Sequence, residues 1–166
     1  MSSNGIIHVR IDDRLIHGQV AVFWCNAVNA TRIMVANDEV AANELQKSAL
    51  RLVVPVGLSS SLISVDAAIA NIRAGKYVGQ RVILVLKSPL DAVRMLDGGV
   101  ELGTVNTGNL SVREGTINLK KNINVTPTEL KAYKQLHAAG MKLIAKLVPD
   151  NAEDDLMAYI NKIVLK

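Results

Sequence analysis

Between Val9 and Gln19 the chain reads VRIDDRLIHGQ, a cluster of two arginines, two aspartates and a histidine that passes directly into the apolar run VAVFW. A histidine at that point offers a neutral, nucleophilic imidazole near physiological pH. The helix predicted to begin near Gly18 presents unpaired backbone amides and a partial positive charge, which suit a phosphate. Arg10 and Arg14 supply charge-assisted hydrogen bonds to phosphoryl oxygens, and Asp12 or Asp13 can orient the His17 ring or an arginine. Together these residue types describe a site that holds a phosphoryl group on His17. Transfer between imidazoles needs in-line positioning and charge neutralisation more than a base or a metal. Three other uses of the same letters stand beside it. His8, Asp12, Asp13 and His17 could serve as metal ligands. His17 with Asp12 or Asp13 could form the acid–base pair of a small hydrolase. A regulatory domain could bind a phosphorylated ligand through Arg10 and Arg14 without catalysis. Of the other histidines, His8 falls in a predicted strand and His137 on a polar-flanked helix, and both read as structural or solvated.

The elements that must position this cluster alternate along the chain. IIHV (6–9), RIMVA (32–36), RVILVL (81–86), GTVN (103–106) and KLIAKLV (142–148) read as strands, with LSSSLISV (58–65) a weaker one. VILVL is continuously apolar, as in a parallel strand covered on both faces. Between them, SPLDAVRMLDGG carries an N-capping Ser88 and Pro89 at the first helical position. TPTELKAYKQLHAAG has Thr126 and Glu129 as a capping box and Gly140 as its stop. DEVAANELQKSALRL (38–52) reads as one helix, SVDAAIANIRAG as another, and a last helix is expected from about Ala152 to Val164. VAVFW is expected to pin the first helix to the sheet. The alternation predicts an α/β fold: one domain over 1–166, an open, mostly parallel β-sheet with helices on both faces. Ligands in such folds sit beyond the C-terminal strand ends. That rule adds Asn37, Asp38, Lys87, Asn106 and Gly108 as candidates from the loops predicted to converge there.

Composition narrows the classes. The 166 residues are 49% hydrophobic, 20% charged and only 3% aromatic, which fits a globular domain with an aliphatic core. The net charge of +4 is interleaved along the chain, so nucleic acid is not an expected partner. The single cysteine, Cys25, rules out an internal disulfide and reads as core packing in a reducing cytoplasm. No signal peptide and no membrane span are legible. P-loop, dinucleotide, zinc and nucleophile-elbow motifs are absent.

The run RIDDRLIHGQV (10–20) resembles the signature loop of the IIB components of the mannose/fructose/sorbose family of bacterial sugar phosphotransferase systems. VANDEVA (35–41), VNTGN (105–109) and VTPTELKAYKQLHAAGMKLIAKLVPD (125–150) have counterparts in the same order. The resemblance implies that His17 is the phosphohistidine, phosphorylated on Nδ1, and that Arg14, Arg10, Asp12 and Asp13 surround the phosphoryl site. It implies a phosphorylated IIA protein or domain as donor. It also implies membrane IIC and IID proteins holding a hexose or amino sugar as acceptor, no cofactor, and a cytoplasmic location beside a membrane permease.

Overall fold

The computed structural model describes residues 4–163. Nine strands form in chain order: β1 (Ile6–Asp12), β2 (Arg32–Ala36), β3 (Ser59–Ile63), β4 (Val82–Leu86), β5 (Thr104–Asn109), β6 (Ile117–Lys120), β7 (Ile123–Val125), β8 (Lys142–Ala145) and β9 (Asp154–Asp155). Seven make one sheet in the order β3-β2-β4-β1-β5-β8-β9, parallel throughout except for β9, while β6 and β7 pair as a separate hairpin. A π-helical segment, Gln19–Trp24, follows β1 and runs into α1 (Cys25–Ala27). The remaining helices are α2 (Asp38–Ala41), α3 (Glu44–Leu52), α4 (Val65–Arg73), α5 (Pro89–Asp97), α6 (Pro127–Ala138) and α7 (Leu156–Ile160).

The chain steps outward from β1 to β2 and β3 with its helices on one face. It then returns through β4 and β5 to β8 with helices on the other, as right-handed crossovers require. Alternate residues of the buried strands feed the two cores. Met34, Leu84 and Val105 pack with α4, α5 and α6; Ile33, Val35, Ile83 and Val85 pack with Val20, Trp24, Val40 and Leu50. β1 lies at the switch point, between β4 and β5, so its C-terminal end opens at the crevice where such sheets bind ligands.

The caps form as expected. Ser88 accepts from Leu90 N, and Thr126 and Glu129 close their reciprocal box. Three expectations are corrected. The helix predicted over 38–52 is two helices, because Asn43 accepts from Gln46 N and starts α3 afresh. The terminal helix is only α7, since Asp154 and Asp155 pair with Ile144 and Ala145 first, and Asp155 then caps Met157 N; Val164 lies outside the described residues. β1 also runs past Val9 to Asp12, so Arg10 and Asp12 are strand residues, not loop residues.

Candidate functional site

Residues 8, 10 and 12 of β1 share one face by strand alternation, and the charged side chains at that face are buried. Asp12 is the centre. Its Oδ2 accepts from Arg10 Nη2 at 3.1 Å, Arg14 Nη2 at 2.9 Å and His17 Nε2 at 3.0 Å; its Oδ1 accepts from Arg14 N and Nε, both at 3.0 Å. Burial alone would raise the Asp12 carboxyl. The bonds from His17 and Arg14 and the charge of Arg10 outweigh it and hold the group well below the ordinary carboxylate range. A carboxylate that stays ionised accepts from His17 only if the ring proton sits on Nε2. Among the described residues nothing hydrogen-bonds His17 Nδ1, and the side chain is 18% exposed. In the neutral ring this leaves Nδ1 as the unprotonated nitrogen.

The two arginines hold different stations. Arg14 is 37% exposed and touches Gln19 Oε1 at 3.3 Å, so its guanidinium reaches solvent beside the imidazole. Arg10 has no exposed surface. Its Nη1 and Nη2 donate to the carbonyls of Lys146 and Leu147, and its guanidinium lies 5.5 Å from the Trp24 ring centre. Of the two roles expected for Arg10, meeting phosphate or orienting a neighbour, the geometry supports the second: its guanidinium is enclosed beneath the site and orients Asp12. Gly108 makes room for it, since a Cβ there would run into the Arg10 guanidinium.

The loop between Asp12 and His17 is tightly pinned. Leu15 takes φ +62°, a left-handed conformation costly for a bulky residue, while Leu15 and Ile16 are buried in the core beneath. Asp13 faces away from His17 and staples the loop to the end of β5, accepting from Asn109 Nδ2 and from Ser111 N and Oγ. His8 stacks on Trp24 with ring centres 4.4 Å apart, and burial, with the charges of Arg10 and Lys146, pushes its pKa down to about 3. Among the described residues no three histidine, cysteine or acidic side chains converge to hold a metal, so the four-ligand alternative has no geometric support. The helix starting after Gly18 has no side-chain cap on its first amides, and a side chain at Gly18 would meet nothing within 4 Å.

Among the described residues none of the remaining candidates hydrogen-bonds or ion-pairs with His17. Asn106 is buried within β5, not in a loop, and its amide bridges both backbone groups of Lys146. Asn37 caps α2, Asp38 accepts from Val65 N and Arg94, and Lys87 stands 3.9 Å from Glu39. These three line a separate hollow of about 460 Å³, with Asp13 and Asp91 among its other walls. Sequence reasoning missed Trp24, Asn109 and the Lys146–Leu147 carbonyls as supports of the site. VAVFW is expected to pin the helix to the sheet, with Phe23 or Trp24 reaching an interface as the alternative; the π-helical segment buries Val20, Ala21 and Trp24 and exposes Val22 and Phe23. Cys25 is buried as expected, its thiol pushed up to about 11 by burial.

Residues 6–166 match the family model described as "PTS system sorbose subfamily IIB component". The chain is 38% identical over 154 residues to the mannose-specific EIIAB component of Escherichia coli K12. That alignment covers 93% of this chain and 48% of the relative, so the chain spans about half the length of the mannose-specific relatives it matches. It is 34% identical over 156 residues to the N-acetylgalactosamine-specific enzyme IIB component 2 of the same organism, covering 93% and 98%. Among solved structures it is similar to the IIBSor domain of the sorbose permease from Klebsiella pneumoniae, with a TM-score of 0.91, 32% identity, and coverage of 97% and 99%.

Proposed function

The chain belongs to the sorbose subfamily of phosphotransferase-system IIB components, and from that premise we propose that it carries a phosphoryl group on Nδ1 of His17 between a protein donor and a sugar. The hydrogen bond that His17 Nε2 donates to Asp12 carries this reading, because it favours the tautomer in which Nδ1 is free to accept the phosphoryl group. In the first step the His17 Nδ1–P bond forms as the P–N bond to a phosphohistidine of the IIA donor breaks. The Nε2 proton stays in place, and Asp12 offsets the positive charge on the substituted ring. Arg14 and the uncapped amides after Gly18 neutralise the phosphoryl oxygens. In the second step the P–N bond breaks as a sugar hydroxyl forms the P–O bond, and the hydroxyl proton leaves to a base on the acceptor side.

The donor is a IIA protein or domain, and the acceptor is a hexose or amino sugar held by membrane IIC and IID proteins. The chain functions as a single IIB unit at the cytoplasmic face of that permease. Exposed Val22 and Phe23, on the segment that follows His17, supply an apolar margin for docking. No helix among the described residues is long and apolar enough to cross a membrane. The family match does not favour the hydrolase reading.

The test is intact mass after incubation with phosphoenolpyruvate, the general phosphotransferase proteins and a mannose-family IIA. An acid-labile gain of one phosphoryl group is expected on the wild type and none on His17→Ala. A gain retained by His17→Ala overturns the assignment.

A further inference from the structure

Helix α3 turns Leu50 into the core and leaves the opposite stripe uncovered. Leu45 and Leu52, two turns apart, are 82% and 87% exposed, Ala49 between them is exposed, and Val53 and Val56 continue the apolar surface beyond the helix end. Single exposed apolar side chains are ordinary; a contiguous set on one helix face marks an interaction surface. The charges beside it say what kind. At about 100° per residue, Glu44 and Arg51 fall on the same flank of the Leu45–Leu52 stripe, one at each end. Both are exposed. Among the described residues Arg51 has no ion-pair partner, and Glu44 has only Lys47, at 3.1 Å.

Opposite charges on one flank are what an antiparallel pair of identical helices needs. A two-fold axis through the middle of such a pair brings the same flank of each copy together, so Glu44 of one meets Arg51 of the other, twice. A parallel pair would set opposite flanks together and leave both charges unmatched. The same axis places Leu45 against Leu52 of the second copy, with Ser48 and Ala49 at the crossing, small enough for close approach. The two helix dipoles run head to tail.

We propose that the exposed face of α3 is a self-complementary surface through which two copies of this chain associate about a two-fold axis. None of these residues belongs to the His17 cluster, so the inference is independent of the phosphocarrier reading. With one short helix and its exit turn on each side, the interface is at the small end of specific contacts, and the dimer is a reversible one.

Sedimentation of the full chain over a concentration series tests it. The expected mass rises from one chain to two. Leu45→Lys or Leu52→Lys should weaken association by about tenfold or more, as truncating a central apolar contact does. Glu44→Arg and Arg51→Glu should each weaken it, and the double reversal should restore it. Phosphoryl acceptance on His17 and the far-ultraviolet circular dichroism of each variant report whether the fold is intact. A single-chain mass at every concentration reached by the wild type overturns the proposal, including the case in which this face binds another protein. A dimer indifferent to Leu45→Lys and Leu52→Lys overturns it as well, and failure of the double reversal to restore association overturns the antiparallel pairing.

Discussion

Asp12 and Asp91 both lie near the C-terminal edge of the same sheet, both are largely buried, and they behave in opposite ways. Asp12 at the end of β1 is surrounded by Arg10, Arg14 and His17, which keep it ionised. Asp91, in the first turn of α5 behind the loop of β4, meets Arg94 at 3.9 Å, the like charge of Asp38, the charge of Lys87 and a hydrogen bond from Asn37. Burial dominates and raises it to about 6. The first carboxylate is the hub of the His17 cluster, and the second lines a separate hollow. At the same edge, burial raises one carboxyl, and the convergence of donors on the other outweighs burial and lowers it.

The largest expected effect tests the site side of this contrast. His17→Ala should remove phosphoryl acceptance completely with little change in the unfolding midpoint, read by intact mass and urea denaturation. Next comes Asp12→Asn. It leaves the buried Arg10 guanidinium without its counter-charge, so stability should fall by about 3 kcal/mol, and the freed tautomer should slow transfer by roughly a thousandfold. Because the folded-state value of Asp12 lies below its unfolded value, its contribution is present at neutral pH and is lost as pH falls through the ordinary carboxylate range and below. Acid titration of the wild type by circular dichroism should show that loss, and Asp12→Asn should flatten it. Arg14→Ala should slow transfer by roughly ten- to a hundredfold in a quench-flow phosphotransfer assay, with a stability change of only about 1 kcal/mol, since its charge is partly in water.

The smallest effect has the opposite sign and would break the comparison if it failed. Asp91→Asn should stabilise the protein by about 1 kcal/mol at pH 7, because the charged form is the one that burial penalises. A raised folded-state value means the wild-type penalty fades as pH falls from above 6 toward the unfolded carboxylate value near 4. The variant and the wild type should therefore converge in stability over that window. Phosphotransfer by Asp91→Asn should match the wild type, and a slowed rate would tie the hollow to the chemistry.

How far the sequence foretold this arrangement depends on what kind of information each feature needs. Apolar runs and caps are local, so the strands at Arg32–Ala36 and Val82–Leu86 and the helix starts at Ser88 and Thr126 were readable from neighbouring residues. That His17 and Arg14 belong to one cluster with Asp12 was readable from their residue types and close spacing, and both side chains do bond Asp12. Arg10 was placed in a loop, not in β1, for a physical reason. A charged residue looks like a loop residue until its counter-charge and two carbonyls from residues 146 and 147 are known, and those arrive from the far end of the chain. Asn37, Asp38 and Lys87 were placed by the rule that βα loops gather at one edge. The rule is right about the edge, but these side chains serve a cap, a backbone amide and ion pairs there. The π-helical segment had no signal at all, since its hydrogen-bond period is not a property of composition.

Gly108 and Arg10 carry one further consequence, which concerns the order in which this site can change over generations. A methyl group at position 108 has no place while the Arg10 guanidinium lies there, yet a smaller residue at position 10 would release the constraint. The two positions therefore form a ratchet. A descendant that first shortens position 10 opens position 108 to drift, and any side chain then fixed at 108 bars the return of arginine. A lineage that keeps Arg10 must keep the glycine, and one that crosses that step cannot rebuild the floor beneath Asp12 by a single reversal.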